Sequence, residues 1–393
     1  MAVDRKPVQP NANLTQEQRL EQLMKHFQEV NDFYILKVAQ QIEKIGKLSQ
    51  SSINRLVIMA EMNEDIAAIN EKLAKALRLA RNDLYRLYET ALNETYTDPR
   101  FERALRETPL PDLEKRRLEH YAQTISVQTA GTMQNLSNTT LVSQTYRDVV
   151  DKAILAVTSG LGDYKSATRQ AVKDLGYNGM QVVYPETGYH RRLDTALRQN
   201  IIDGVNQIAQ NGSIMMGDAL GYDAYEISAH ARSAPDHEPI QGHVFLIAEF
   251  EKMQSGQPFE DVDGRQYEAI RRPIGEWNCM HIAMSFSTKY SIRKFTDAQL
   301  EKFIADNEKG CTIDGKHYSI YAASQYMRQL ETAVRREKDS ANAARIAGDM
   351  ELRKQCQVRI NNLARKYSEV AKAANLTPRK DRMRVEGFRM VKV

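Results

Sequence analysis

Residues 62–91 carry a long amphipathic pattern, MNEDIAAINEKLAKALRLARNDLYRLYETA. Apolar side chains return every three or four positions, which is the spacing of one face of an α-helix. The apolar positions are Met62, Ile66, Ile69, Leu73, Leu77, Ala80, Leu84, Leu87 and Ala91. A helix with one apolar face has to bury that face, and its simplest partner is a second helix. The pattern therefore predicts a protein built mainly from packed helices.

The partner helix is predicted just upstream. The run Thr15-Gln16-Glu17-Gln18 has the form of a capping box, in which Thr15 starts a helix and Gln18 reaches back to it. Apolar residues then recur at helical spacing, at Leu20, Leu23, Met24, Phe27, Val30 and Tyr34. Gly46 and the serine-rich stretch 49–52 are typical of a turn. Residues 14–95 are therefore predicted to form an extended helical hairpin.

Downstream of the hairpin, the chain is predicted to alternate helices with a few short strands. Helices are predicted at 113–134, 141–159, 166–175, 193–208 and 321–374, with Gly160 and Gly162 as caps after the second of these. Strands are predicted at 181–184 and 225–228, a strand or buried turn at 243–248, and a β-hairpin with an Asp-Gly turn at 311–318. The expected fold class is mostly α, a helical scaffold that holds a small α+β domain with short strands and a β-hairpin.

Composition points to a soluble globular chain of two or three domains. Of the 393 residues, 42% are hydrophobic and 27% are charged, close to the average for globular proteins. No stretch approaches the roughly 18–20 apolar residues that span a bilayer, so no membrane contact is expected. The three cysteines are too few for a disulfide framework, which favours synthesis in a reducing cytosol. Residues 1–13 are expected to be a flexible polar tail, because Pro7 and Pro10 oppose helix formation.

Positive charge is concentrated at one end of the sequence. Residues 321–393 hold 17 Lys and Arg against 8 Asp and Glu, although the whole chain carries only +4. This basic C-terminal segment is expected to contact something anionic, either nucleic acid or an acidic protein surface. The alternative is a solvated helix with a basic face, because acidic residues such as Glu331 and Asp349 are interleaved with the basic ones.

Residues 230–281, the polar segment, concentrate side chains that can bind a metal. Four of the eight histidines and one of the three cysteines fall within it. His237, His243, Cys279 and His281 offer nitrogen and sulfur ligands of the types that Zn²⁺ prefers, and a structural zinc site would pin long loops beside a small core. The alternative is a set of hydrogen-bonded histidines with Cys279 as a small buried apolar group. No cofactor is expected apart from the zinc ion of the first alternative.

Standard catalytic motifs do not occur in the sequence. Residues 310–316 match the first seven positions of a phosphate-binding P-loop, but His317 stands where the Mg²⁺-binding Ser or Thr must be. There is no H-E-x-x-H, no Cys-x-x-Cys and no G-x-S-x-G. A dyad of Cys279 and His281 is conceivable, yet nothing in the sequence marks the thiol as activated. The chain is therefore predicted not to be an enzyme, and no catalytic residue is assigned.

An ordered series of segments resembles the minor capsid proteins of tailed phages, in the group related to the Mu F-type head-morphogenesis proteins. The hallmark of that group is a His, Arg and His block ending in Gln-Gly, followed later by Asn-Cys-Arg-His. The matching residues are His230, Arg232, His237, Gln241, Gly242, Asn278, Cys279 and His281. Further family-like segments include 162–167, 193–200, 221–223, 326–331, 335–336 and 348–349. The resemblance covers roughly residues 145–388.

The resemblance implies a structural head-morphogenesis protein. Such a protein would be made in the host cytoplasm and would lie in few copies inside the capsid, near the portal vertex. It would contact the portal and major capsid proteins, be oligomeric in the virion, and turn its basic C-terminal segment towards packaged double-stranded DNA. Met280 replaces the family's basic residue, and Ile240 stands where an aromatic residue commonly precedes Gln-Gly. These departures leave the motif a structural rather than a chemical role.

Four parts of the chain are predicted. They are a tail at 1–13, an extended helical region at 14–140, a Mu F-like α+β domain at 141–320 and the basic helical segment at 321–393. Two other functions stay open. One is a phage-associated hydrolase or toxin-like effector that uses the His, Arg and Cys side chains of the polar segment. The other is a helical adaptor unrelated to phages, which leaves the ordered family-like series unexplained.

Overall fold

The computed structural model describes residues 15–46, 55–158, 164–184, 187–275, 279, 281–385 and 387–392, and its architecture is mostly helical, as predicted. The helices are α1 (Gln16–Gly46), α2 (Arg55–Tyr96), α3 (Pro99–Glu107), α4 (Asp112–Asn138), α5 (Val142–Thr158), α6 (Tyr164–Asn178), α7 (Leu193–Ala219), α8 (Ile247–Gln254), α9 (Asp297–Lys309), α10 (Ile320–Ile346) and α11 (Met350–Ala373), with a 3₁₀ helix at Lys380–Met383. The strands are β1 (Gln181–Tyr184), β2 (Tyr189–Arg192), β3 (Ala224–Ile227), β4 (Val244–Leu246), β5 (Phe259–Glu260), β6 (Gln266–Tyr267), β7 (Ala283–Phe286), β8 (Cys311–Ile313) and β9 (Lys316–Tyr318). Within these residues, no helix is both long and apolar enough to cross a membrane.

Helices α1 and α2 form the predicted hairpin. The capping box is present, because the Thr15 hydroxyl accepts from the Gln18 backbone N–H at 3.3 Å and the Gln18 side chain accepts from the Thr15 N–H at 3.0 Å. The apolar stripes of both helices are buried inside the chain, with Phe27 and Leu84 at most 1% exposed. Residues 47–54, which hold most of the predicted turn, lie outside the described residues. Since the stripes face the chain's own core, they are not available to a partner protein.

The helix α1 runs through the middle of a helical bundle. It contacts α2, α5, α6, α7 and α10, while α4 packs on both α2 and α7. One continuous hydrophobic cluster joins these helices, from Leu23 in α1 to Val370 in α11. Burial of this shared apolar surface is the main force that holds the C-terminal helices against the N-terminal hairpin.

The helical stretch predicted at 321–374 is confirmed, and the structure divides it into α10 and α11. Gly348 has a φ of 74°, a left-handed conformation that glycine adopts without steric cost. Asp349 then caps α11, and its side chain accepts from the Leu352 backbone N–H at 2.9 Å. The chain turns back at this point, so α11 packs along α10.

Helix α7 ends at Ala219 rather than at the predicted Ile208. The tripeptide at 211–213, Asn-Gly-Ser, is typical of a loop. The helix nevertheless continues, and tertiary packing buries Gly212, Ser213 and Met216 in its second half. Gly212 lies against the Thr95 side chain, which would be 3.3 Å from a Cβ at that position. Helix α6 is also longer than predicted, and α3, α8, α9, β2, β5, β6 and β7 were not predicted from the sequence. The caps expected at Gly160 and Gly162 lie outside the described residues.

The α+β part is built on a three-stranded antiparallel sheet of order β4-β3-β7. Ala224 of the central strand pairs with Leu246 of β4 and with Phe286 of β7. The sheet packs on the C-terminal half of α7, where a Cβ on Gly217 would lie only 2.3 Å from the Ser285 hydroxyl. A second, smaller hydrophobic cluster fills this part of the molecule, with Ile227, Phe245, Met253, Phe259, Cys279 and Ala283 among its members.

The predicted β-hairpin at 311–318 is confirmed as β8 and β9. Asp314 and Gly315 have φ values of 51° and 75°, as a two-residue type I′ turn requires. A P-loop instead joins a strand to the N-terminus of a helix, so this segment is not a phosphate-binding loop. The domain boundaries at 140 and 320 stay a prediction.

Candidate functional site

The polar segment contributes two loops that meet at one end of the sheet. Residues 228–243 connect β3 to β4, and residues 268–282 lead into β7. Ile227 at the end of β3 pairs with Ala283 at the start of β7. Because these strands are antiparallel neighbours, the loop that leaves one and the loop that enters the other lie side by side.

The two loops bring together His237, Cys279 and His281, here named the His–Cys cluster. Cys279 Sγ lies 3.2 Å from Nδ1 of His237 and 3.7 Å from Nδ1 of His281. The three donor atoms all lie within 4.8 Å of one another. The exposed fractions of these residues are 0%, 3% and 2%, so the cluster is closed to solvent. Two imidazoles and a thiol form a donor set that can hold a zinc ion.

Protein acceptors hold the outer ring nitrogen of each histidine. His237 Nε2 donates to the backbone carbonyl of Arg272 at 2.6 Å. His281 Nε2 lies 3.2 Å from Ser233 Oγ and 3.5 Å from Gln241 Oε1. These contacts fix both rings with their Nδ1 atoms towards the sulfur.

His230 and Gln241 pack against His281 on one side of the cluster. The His230 ring stacks on the His281 ring with centroids 4.4 Å apart and planes 20° apart. The His230 backbone N–H donates to Gln241 Oε1 at 3.0 Å. Gln241 is 1% exposed, so one buried amide ties the start of the first loop to the cluster. Arg232, the basic residue of the same motif, lies at the exposed surface.

Gly242 allows a tight backbone approach at the end of the first loop. Its φ is 70°, and a Cβ there would lie 2.6 Å from a Leu300 methyl group. Its N–H donates to the Ile227 carbonyl at 2.7 Å, and its own carbonyl accepts from Arg293 Nε at 3.1 Å. The glycine therefore lets the first loop close against the end of β3.

His243, the fourth predicted metal ligand, lies outside the cluster. Its Nδ1 lies 3.2 Å from Asp261 Oδ2 and 2.8 Å from the Arg265 guanidinium, which donates to it. This histidine therefore takes part in a separate polar network around β6. Asn278, the remaining residue of the motif, lies outside the described residues.

Burial sets the protonation states of the cluster. It lowers the pKa of His281 to about 2, and it also lowers the pKa of His237 and the pKa of His230. Burial raises the pKa of the Cys279 thiol. Without a metal, the imidazoles are neutral near pH 7 and the thiol keeps its proton. A catalytic cysteine needs the opposite, a lowered pKa and access to substrate, so this geometry gives the hydrolase alternative no support.

Sequence reasoning missed part of the support behind the cluster. Arg272 contributes its backbone carbonyl to His237, and no pattern of residue types predicts an acceptor of this kind. Its guanidinium pairs with Asp236 at 2.9 Å, which anchors the same turn. Ser233 is 1% exposed and lies beside His281. Ser233 lies four residues before His237, a spacing that does not predict a contact with His281.

A second buried polar cluster lies between the start of α7 and the middle of α10. Arg192, at the end of β2, lies 3.2 Å from the Asp194 carboxylate of α7 and 3.1 Å from the Asp339 carboxylate of α10. Arg192 is 8% exposed and Asp339 is 1% exposed. Arg192 thus links Asp194, which belongs to the family-like segment 193–200, to Asp339 on α10.

Partners within the chain engage many basic residues of the basic C-terminal segment. Arg359 pairs with Glu337 at 2.9 Å, and Lys338 donates to the Met383 carbonyl at 2.7 Å. Other internal contacts are made by Arg335, Arg353 and Lys366. Part of the basic charge therefore stabilises the fold, and only the exposed remainder is available to an outside partner.

Comparison with known proteins gives one match. Residues 15–370, nearly the whole chain, match the family model described as phage minor capsid protein 2. No curated protein and no solved structure gives a significant match.

Proposed function

This chain belongs to the phage minor capsid protein 2 family, and from that membership we propose that it is a head-morphogenesis protein placed inside the capsid at the portal vertex. The expected resemblance to phage minor capsid proteins is confirmed at the level of the family, while the relation to the Mu F-type proteins stays a prediction. Family membership makes the chain a structural protein of a virion. The proposal goes further in two respects, which are the position at the portal vertex and the portal and major capsid proteins as partners.

The match over residues 15–370 is the observation that carries this proposal. Two structural features support it. Helix α2 spans 42 residues, keeps its apolar stripe inside and exposes a long, mostly polar face that is open to neighbouring subunits. The His–Cys cluster is buried, as suits a structural rather than a catalytic element.

The vertex position can be tested by comparing two particle populations. Particles from wild-type phage and from a phage lacking this chain would be reconstructed without imposed symmetry. We expect density inside the head at the portal vertex that only wild-type particles show. Difference density at the ordinary capsid vertices, or on the outer surface, would contradict the proposal.

We further propose that one face of α11 contacts packaged DNA. Lys354, Arg365 and Lys372 are exposed and spaced by 11 and 7 residues, close to whole helical turns. They therefore line one side of the helix over roughly 27 Å, although Glu369 lies 4.0 Å from Arg365. Phosphate contacts of this kind are independent of sequence and weaken as salt concentration rises.

Charge reversal on α11 tests the DNA contact. The triple variant Lys354→Glu, Arg365→Glu and Lys372→Glu should bind a random DNA duplex more weakly, with the slope of log affinity against log salt smaller by about 3. The matched control is Lys115→Glu, Arg116→Glu and Arg117→Glu on α4, which are also exposed and change the net charge equally. An equal loss in both variants would mean a nonspecific charge effect, and wild-type binding that ignores salt would refute the contact.

A further inference from the structure

We propose that the His–Cys cluster is a zinc site that fastens the two loops of the polar segment together. A tetrahedral zinc ion has Zn–S bonds of about 2.3 Å and Zn–N bonds of about 2.0–2.1 Å, which place its sulfur and nitrogen ligands about 3.6 Å apart. The Sγ–Nδ1 distances from Cys279 are 3.2 Å to His237 and 3.7 Å to His281. One ion can therefore reach all three donors after small side-chain movements.

The positions of the ring protons favour a cation at this place. A backbone carbonyl only accepts, so Nε2 of His237, 2.6 Å from the Arg272 carbonyl, carries the proton. Gln241 Oε1 accepts from the backbone N–H of His230, which identifies that atom as oxygen. Nε2 of His281 lies 3.2 Å from Ser233 Oγ and 3.5 Å from this oxygen. Because the Ser233 hydroxyl donates its own proton to the Ala234 carbonyl, both oxygens accept, and Nε2 is the protonated nitrogen.

It follows that both Nδ1 atoms turn lone pairs towards the same sulfur. A thiol has one proton and can donate it to only one of the two nitrogens. The other buried lone pair then faces sulfur instead of a donor, which is unfavourable. A divalent cation satisfies both imidazoles and the sulfur at once, and the displaced thiol proton leaves to solvent.

The surroundings are those of a metal-bound thiolate. The backbone N–H of His281 points at Cys279 Sγ from 3.4 Å, and such a donor stabilises negative charge on sulfur. The outer nitrogens of both histidines are held by protein oxygens, the arrangement that orients zinc-bound imidazoles. His237 lies in one loop and Cys279 and His281 in the other, so the ion cross-links both loops beside the smaller hydrophobic cluster.

The first test uses the wild-type, untagged full-length chain. After treatment with a chelator, the protein is titrated with ZnCl₂, and metal content is measured by native mass spectrometry. We expect one zinc ion per chain and a higher melting temperature with zinc. Cys279 is buried even without metal, so its alkylation is followed in urea near the unfolding midpoint of the metal-free protein, where the thiol becomes accessible and zinc should slow the reaction. Equal alkylation rates of Cys279 with and without zinc under that condition, or no stoichiometric binding, would overturn the proposal.

Variants identify the ligands. Cys279→Ala, His237→Ala and His281→Ala should each lose zinc affinity by more than the roughly 10–100-fold that removal of a supporting residue costs. The matched controls Cys311→Ala and His243→Ala should bind as the wild type does. With CoCl₂ in place of zinc, the wild type should show a thiolate-to-cobalt charge-transfer band that Cys279→Ala lacks. Retention of that band in Cys279→Ala would place the metal elsewhere and refute this site.

Discussion

Arg192 shows what one buried charge contributes to this fold. Its guanidinium touches Asp194 and Asp339 at 3.2 Å and 3.1 Å, so it ties the start of α7 to the middle of α10. Taking three charges out of water is costly, and only their mutual attraction offsets that cost. Removal of the central cation would leave two carboxylates facing each other in a buried place.

We therefore expect Arg192→Met to lower the free energy of unfolding by about 3–5 kcal/mol. The control Arg106→Met removes an exposed arginine from an i,i+4 pair with Glu102 and should change stability by no more than about 0.5 kcal/mol. Equilibrium denaturation of both variants in urea measures the difference. Equal midpoints for the two variants would show that the buried pairs contribute nothing.

The sequence predicts the residue types of the candidate site better than its geometry. His237, Cys279 and His281 are among the four predicted ligands, and the structure places these three together. His243 differs because it is the last residue before β4, and its side chain lies beside Asp261 rather than in the cluster. That choice depends on strand register and on which loops become neighbours, and neither is visible in ligand spacing.

The packing of α7 against α2 and α4 depends on one glycine. A Cβ on Gly204 would lie 1.8 Å from the Tyr88 hydroxyl and 2.9 Å from Thr129 Oγ1. The Tyr88 hydroxyl donates to Thr129 at 2.9 Å, in a place where all three helices meet. The glycine lets the helices approach closely enough for this buried hydrogen bond to form.

Gly204 of α7 and Gly131 of α4 should respond to alanine with opposite signs. Gly204→Ala should cost at least about 1 kcal/mol net, because overpacking and a displaced Tyr88 outweigh the better helix propensity of alanine. Gly131→Ala, in the exposed face of α4 with nothing within 4 Å of the new methyl group, should gain about 0.5–1 kcal/mol. Thermal unfolding followed by circular dichroism compares them. A gain in both variants would mean that the close approach of the three helices is absent in solution.

Short sequence motifs predicted the caps and turns that depend only on residues close in the sequence. The capping box at Thr15 and the Asp314-Gly315 turn both appear where the sequence indicates them. The length of α7 could not be predicted in this way, because tertiary packing at Gly212 overrides a tripeptide that favours a loop. The division of α10 from α11 did have a local signal in Gly348, which the helical periodicity on both sides obscured.

At the level of the whole molecule, the hydrophobic pattern was enough to predict a mostly helical fold. It did not indicate which helices share a core, since that depends on contacts between distant segments such as α1 with α10 and α6 with α10. The ion pairs of Arg192 with Asp194 and Asp339 join the start of α7 to the middle of α10 and hold one junction of the bundle.

The most direct measurement for the central claim, a structural role in a phage head, is the copy number of this chain in purified particles. Washed, DNA-filled particles would be digested, and isotope-labelled peptides would quantify this chain against the portal and major capsid subunits. We expect the chain to be present at a ratio near or below that of the portal and far below that of the major capsid protein. Its absence from the particles would contradict a virion role, and a copy number equal to that of the major capsid protein would contradict a minor one.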